Sequence, residues 1–314
     1  MTLDPQFAGF LDMLRDVGAP SSFAGSPDEM RERTRQAIEQ GFGDRSGFAE
    51  VESVRRETVG AQRTEVTITV PKGVSGTVPT VVYFHPGGFV LTSADLTEDV
   101  TRRLARDLGA VVVSVDYRLS PEHPHPAPAL DAAAVIDWVF AEIDRLGGDA
   151  ARVAVSGESS GANLAAVAAL HARDAGHPLA AQLLLVPVTD FSREFPSYEQ
   201  NASGYFLSRD DLAIIRGLHY GDDPEVAADP TLSPALAADH AGVAPAIIAV
   251  AGFDPLRDDG IVYAGKLLTA GVPTQLFVYR SLIHPFFGMP ALSEAADSAV
   301  DELTSALGEL LASR

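Results

Sequence analysis

Short apolar runs alternate with longer stretches of helical periodicity along most of this chain. From about residue 48 the pattern repeats every two residues, which predicts antiparallel edge strands over 51–54 and 65–70 with a turn near Gly60. Apolar runs then predict strands over 80–84, 110–115, 153–156, 183–188, 246–251 and 274–279. Helical patterns lie over 96–108, 129–146, 160–175, 260–270 and 291–311. This alternation predicts an α/β fold, a mostly parallel sheet with helices on both faces. Two regions depart from the rhythm. Residues 1–45 read as helical, with Phe7, Phe10, Leu11 and Leu14 on one face and Pro27-Asp28-Glu29 opening a second helix over 30–40. More than fifty residues separate Val188 from Ala246, among them the aromatic pair Tyr205-Phe206 and a helical pattern over 210–220. An excursion of that length predicts an inserted lid over the carboxyl ends of the strands, where ligands bind in such sheets.

Composition narrows the picture. With 314 residues and 46% hydrophobic content, the chain can bury a large core as one domain carrying an insertion. It has no cysteine, which excludes disulfides and thiolate chemistry. A formal charge of -20 disfavours nucleic acid and anionic membranes as partners, because the long-range field repels both. No basic segment followed by an apolar stretch opens the chain, and the longest apolar runs are too short to span a bilayer. A soluble, cytoplasmic protein is expected.

The segment around Gly157-Glu158-Ser159-Ser160-Gly161 carries the chemistry. An apolar strand breaks there into Gly-x-Ser-x-Gly and resumes as a helix, so Ser159 is expected at the tip of a sharp turn, beside helix-terminal amides that favour developing negative charge. Gly157 and Gly161 fall where a side chain would collide as strand folds back into helix. A serine nucleophile needs a base, and the base needs an acid to hold its tautomer. Of the eight histidines, only His284 comes just after a late core strand. Asp254 and Asp190 both follow strand ends between Ser159 and His284. Asp254 is preferred because it lies one strand before His284, with Asp190 as the fallback. Asp258 and Asp259 read as the start of the next helix, where acidic groups suit its dipole. His85-Pro86-Gly87-Gly88-Phe89 follows the strand over 80–84, and two successive glycines can turn their amides toward a substrate oxygen. The amide of Ser160 is the third such donor, and His85 reads as structural.

These segments, with Asp116-Tyr117-Arg118-Leu119-Ser120-Pro121-Glu122-His123-Pro124, Asp254-Pro255-Leu256-Arg257-Asp258-Asp259-Gly260 and Ile283-His284, resemble the hormone-sensitive-lipase-like (bacterial family IV) esterases of the α/β-hydrolase superfamily. The resemblance implies an eight-stranded, mostly parallel sheet flanked by helices under a helical cap. It implies Ser159, Asp254 and His284 as the triad, and Gly87, Gly88 and Ser160 as oxyanion donors. It places the cap in residues 1–45 and 190–232 and the hydrolase core in 46–189 and 233–314. The expected activity is hydrolysis of short-chain acyl esters of small molecules without cofactor or metal, and a homodimer is compatible with the family. An amidase or deacetylase using the same triad, or a non-catalytic small-ligand receptor on the same fold, is the alternative. Three positions depart from the family pattern: Pro86 replaces the first glycine of His-Gly-Gly-Gly, Pro285 follows His284, and Glu158 and Ser160 stand where aspartate and alanine are common. Pro86 has no amide to lose from the expected donors, Pro285 restricts the backbone of His284, and the elbow changes read as mild.

Overall fold

Eight strands form one sheet in the order β1-β2-β4-β3-β5-β6-β7-β8. They are β1 (Ser53–Val59), β2 (Thr64–Val70), β3 (Val78–Phe84), β4 (Val111–Asp116), β5 (Gly148–Glu158), β6 (Leu179–Leu185), β7 (Ala246–Phe253) and β8 (Thr274–Ile283). The structure, a computed structural model, describes residues 2–42 and 47–313. The boundary drawn at residues 45 and 46 lies outside the described residues. From β4 to β8 every neighbouring pair is parallel, whereas β2 runs antiparallel to both β1 and β4. Only β1 is therefore an edge at that end, a correction to the reading of both early strands as edges.

The helices are α1 (Pro5–Asp16), α2 (Pro27–Phe42), α3 (Glu98–Leu108), α4 (Ala127–Ala141), α5 (Ile143–Leu146), α6 (Ser160–Ala175), α7 (Pro196–Gln200), α8 (Arg209–His219), α9 (Pro224–Ala227), α10 (Arg257–Thr269) and α11 (Glu294–Ala312). Side chains alternate across each strand, so the sheet divides the core into two apolar clusters. Val82, Val155 and Ile248 pack with residues of α4, α6 and α10 on one face. Val81, Ala154 and Ile247 pack with residues of α3 and α11 on the other. In α11 the buried residues Ala296, Val300, Leu303, Leu307 and Leu311 fall at three- and four-residue spacing, the stripe that lets one long helix cover several strands.

Several boundaries differ from the pattern-based expectation. β6 covers 179–185 rather than 183–188, because the chain leaves the sheet at Val186, with a left-handed φ of 43°, and Pro187 has no amide for a ladder. β1 begins and ends later than expected because its exposed edge position admits Arg55, Arg56 and Glu57, which hide the apolar alternation. The long helix expected over 129–146 divides at Glu142, whose φ of -109° is outside the helical range. In the excursion before β7 the chain forms α7, α8 and α9.

Candidate active site

The turn from β5 into α6 is built by exclusion of side chains. A Cβ on Gly157 would lie 2.3 Å from the Gly161 backbone, and one on Gly161 would lie 2.0 Å from the Phe84 carbonyl oxygen. The strand and helix approach so closely that only glycine fits at both positions. Ser159 stands at the apex with a φ of 58° and a ψ of -120°, a strained conformation for a residue with a side chain. Its amide donates to the Leu185 carbonyl at 2.8 Å, tying the apex to β6.

Two strands further along, the chain delivers the remaining groups. β7 and β8 pair in register until a bulge at Gly252, where an added Cβ would lie 2.2 Å from the Arg280 carbonyl oxygen. Beyond it Phe253 pairs with Ile283, which sets Asp254 beside His284. His284 Nδ1 lies 3.0 Å from Asp254 Oδ2, and His284 Nε2 lies 2.9 Å from Ser159 Oγ. Asp254 is wholly buried, and its other oxygen accepts the Leu256 amide at 2.8 Å. The Asn201 side-chain amide, at the end of α7, donates to the Asp254 carbonyl at 2.9 Å. With Nδ1 donating to the aspartate, Nε2 is free to accept the Ser159 hydroxyl proton. Pro285 leaves both hydrogen bonds of His284 in place.

Asp190 goes elsewhere. Its carboxylate accepts from Ser192 and from Arg193 Nε, the latter at 3.0 Å. Asp258 and Asp259 do open α10, as their positions implied. Asp259 also accepts the amides of Thr189 and Asp190 at 3.1 and 3.2 Å, and burial raises its carboxyl well above the usual range.

Gly87 and Gly88 follow β3 with φ values of 118° and 62°, the conformation that glycine tolerates. An added Cβ at Gly87 would lie 2.5 Å from the Leu91 carbonyl oxygen. Among the described residues, no protein acceptor meets the amides of Gly87, Gly88 or Ser160. His85 holds the loop from beneath: it is buried, its Nδ1 lies 2.8 Å from the Pro86 carbonyl, and it stacks on Tyr117 at 4.2 Å. Burial pushes its pKa down to about 4, so the ring is neutral at neutral pH.

A cavity of about 1740 Å³ opens above these groups, lined by Gly88, Ser159 and His284 below and by Phe23, Phe206 and Ile215 above. A second hollow of about 510 Å³, between Leu130 and His171, holds none of these residues. Hydrogen bonds join the covering helices to one another and to the core below: Ser21 Oγ donates to Asp211, and Arg31 reaches the Val90 and Ser120 carbonyls and Glu122. His219, at the end of α8, lies 2.8 Å from Ser120 Oγ through Nδ1 and stacks on Phe89 at 4.0 Å. Burial holds its pKa down at about 3. Sequence reasoning set His219 aside, and a partner 99 residues away left no local signal for it. His171 and His177 meet Asp137 of α4 and His240 meets the Pro234 carbonyl, and none of the three lines the cavity above Ser159. Among the described residues, no group of three or more metal-ligating side chains comes together, and no helix is long and apolar enough to cross a membrane.

A family model described as the alpha/beta hydrolase fold matches residues 81–288. The chain is 40% identical over 234 residues to Esterase LipI of Mycobacterium tuberculosis, covering 74% of this chain and 73% of that one. It is 39% identical over 267 residues to Carboxylesterase NlhH of the same organism, covering 81% and 83%. Among solved structures, an ester hydrolase from the metagenome of Lake Arreo, complexed with a bipyridine phosphonate derivative, superposes with a TM-score of 0.91 at 36% identity, covering 98% of this chain and 99% of that one.

Proposed function

The chain belongs to the α/β-hydrolase fold family and is a carboxylic ester hydrolase, and from that premise we propose that Ser159, His284 and Asp254 are the triad of a serine carboxylesterase for short-chain acyl esters. The observation that carries the proposal is the unbroken relay from Asp254 through His284 to Ser159, with distances of 3.0 and 2.9 Å. His284 takes the Ser159 proton as Oγ attacks the ester carbonyl, and Asp254 stabilises the imidazolium that results. The amides of Gly87, Gly88 and Ser160 receive the oxyanion of the tetrahedral intermediate. His284 then protonates the leaving alcohol, and water, activated by the same imidazole, releases the acid from the acyl-enzyme. No step calls for a cofactor or metal.

Residues 1–45 and 190–232 act in this reading as a helical cap over the core formed by 46–189 and 233–314. Phe23, Phe206 and Ile215 give the cavity its apolar roof, which suits a small ester and limits acyl length. The reading keeps the enzyme in the cytoplasm and allows a homodimer, since the outer strand β8 leaves Leu276 and Val278 exposed.

Hydrolysis of p-nitrophenyl esters from acetate to long acyl chains tests the proposal. Turnover should peak at short chains and fall roughly a million-fold in Ser159→Ala. A fluorophosphonate should label Ser159, located by peptide mass. Ser159→Ala with turnover intact, or a label on another residue, would refute it.

A further inference from the structure

Glu158 immediately precedes Ser159, and the mechanism above makes no use of it. Its side chain is fully buried. Oε1 accepts the amides of Phe287 at 3.1 Å and Gly288 at 3.3 Å, the third and fourth residues after His284. Oε2 meets no hydrogen-bond partner among the described residues and lies against Gly288, where an added Cβ would be 3.1 Å from it. Burying a carboxylate is costly unless its charge is held by hydrogen-bond donors, and backbone amides hold it well. One side chain therefore ties the residue before the nucleophile to the segment after the base.

We propose that Glu158 is a positioning residue: its carboxylate clamps the Phe287 and Gly288 amides, sets His284 against Ser159, and supports the imidazolium through its charge. The inference rests on the triad reading. Three titratable groups face this carboxyl: His284 from the end of β8, Asp99 from the first turn of α3, and Tyr83 from β3. The Tyr83 hydroxyl also lacks a partner among the described residues. Burial pushes the Glu158 carboxyl up to about 7, with Asp99 adding to the rise, while His284 and the two amides pull it down. Its charge, and with it the firm grip on the loop, is present above that pH and lost below it. Activity should consequently fall more steeply on acidification than loss of a single proton site gives, because protonation of Glu158 is added.

The test compares Glu158→Gln, which keeps the size and an acceptor oxygen, with Glu158→Ala. Glu158→Ala should lower kcat by about a hundredfold with little change in KM, the order of loss expected from a small misplacement of reacting groups. Glu158→Gln should recover part of that loss, and its kcat/KM should fall on the acid side with one proton where the unaltered enzyme shows more than one. A purely structural role would leave the steepness unchanged. Wild-type kcat in Glu158→Ala, or an unaltered acid limb in Glu158→Gln, overturns the inference; if Glu158→Ala does not fold, the Glu158→Gln profile decides alone. Ser159→Ala is run alongside. Turnover surviving in Ser159→Ala removes the triad reading and this inference together, whereas Ser159-dependent turnover with an unchanged Glu158→Gln profile removes this inference only.

Discussion

The groups on the strand ends and the helices that cover them are held in different ways. Ser159, His284 and Asp254 are 8%, 4% and 0% exposed, and the turn and strand register that carry them are fixed by close backbone packing. Gly157 and Gly161 cannot carry a Cβ, and Phe253 pairs with Ile283 across a fixed register. The cover is joined by side chains instead: Ser21 to Asp211, Arg31 to Glu122, and the Ser208–Asp211 capping box of α8. Its helices also leave Met13 and Ile214 exposed. Interactions of the second kind contribute little individually, especially where the ion pairs are half exposed. The difference teaches that reaction geometry is set mainly by the sheet, with Asn201 and Ser197 as the points where the cover touches the Asp254 segment, while cavity shape is set by the cover.

Three further experiments bear on that contrast, and the largest effect is expected at the acid. Asp254→Asn should fold with an unchanged melting temperature and lose roughly 10⁴-fold in kcat through the wrong His284 tautomer. Asp190→Asn, whose carboxylate serves the entry to the cover, should keep kcat near wild type. A crippled Asp190→Asn with an active Asp254→Asn would reverse the assignment.

Next comes a pair of glycine substitutions. Gly161→Ala places a methyl group 2.0 Å from the Phe84 carbonyl oxygen and should destabilise by about 3 kcal/mol or more, the upper end for overpacking. Gly217→Ala, in α8 with nothing within 4 Å, should stabilise by up to about 1 kcal/mol because alanine is the better helix former. Equal effects in thermal denaturation would show that the two regions tolerate change alike.

The smallest effect is expected at the cap of α8. Asp211→Ala removes the side-chain half of the capping box, where the carboxylate accepts from Ser208, and the bond from Ser21, so it should cost about 1 kcal/mol in a thermal melt. It should raise KM for p-nitrophenyl butyrate several-fold and leave kcat nearly unchanged. A large fall in kcat would mean that the cover also sets the reaction geometry.

Much of the fold was legible because buried parallel strands are continuous apolar runs and their helices carry periodic apolar faces. α6 lies over the residues expected for it, since Ser159 and Gly176 punctuate it clearly. The early strand over 53–59 was misplaced because an exposed edge needs no apolar alternation, and β6 was shifted because a left-handed Val186 leaves no mark in composition. Glu158 read as a mild substitution because its partners, Phe287 and Gly288, lie about 130 residues away in the chain.

By itself the sequence determined the α/β alternation, the glycines that force the turn at Ser159, and the chain order of serine, aspartate and histidine. These depend on neighbours within a few residues, where sterics and periodicity act directly. Only the tertiary structure decided between Asp254 and Asp190 at His284, placed His219 against Phe89, and brought Glu158 beneath the loop after His284. Each of those contacts joins residues 30 to 130 positions apart in the chain, and the strand register and packing that bring them together are set by the whole core.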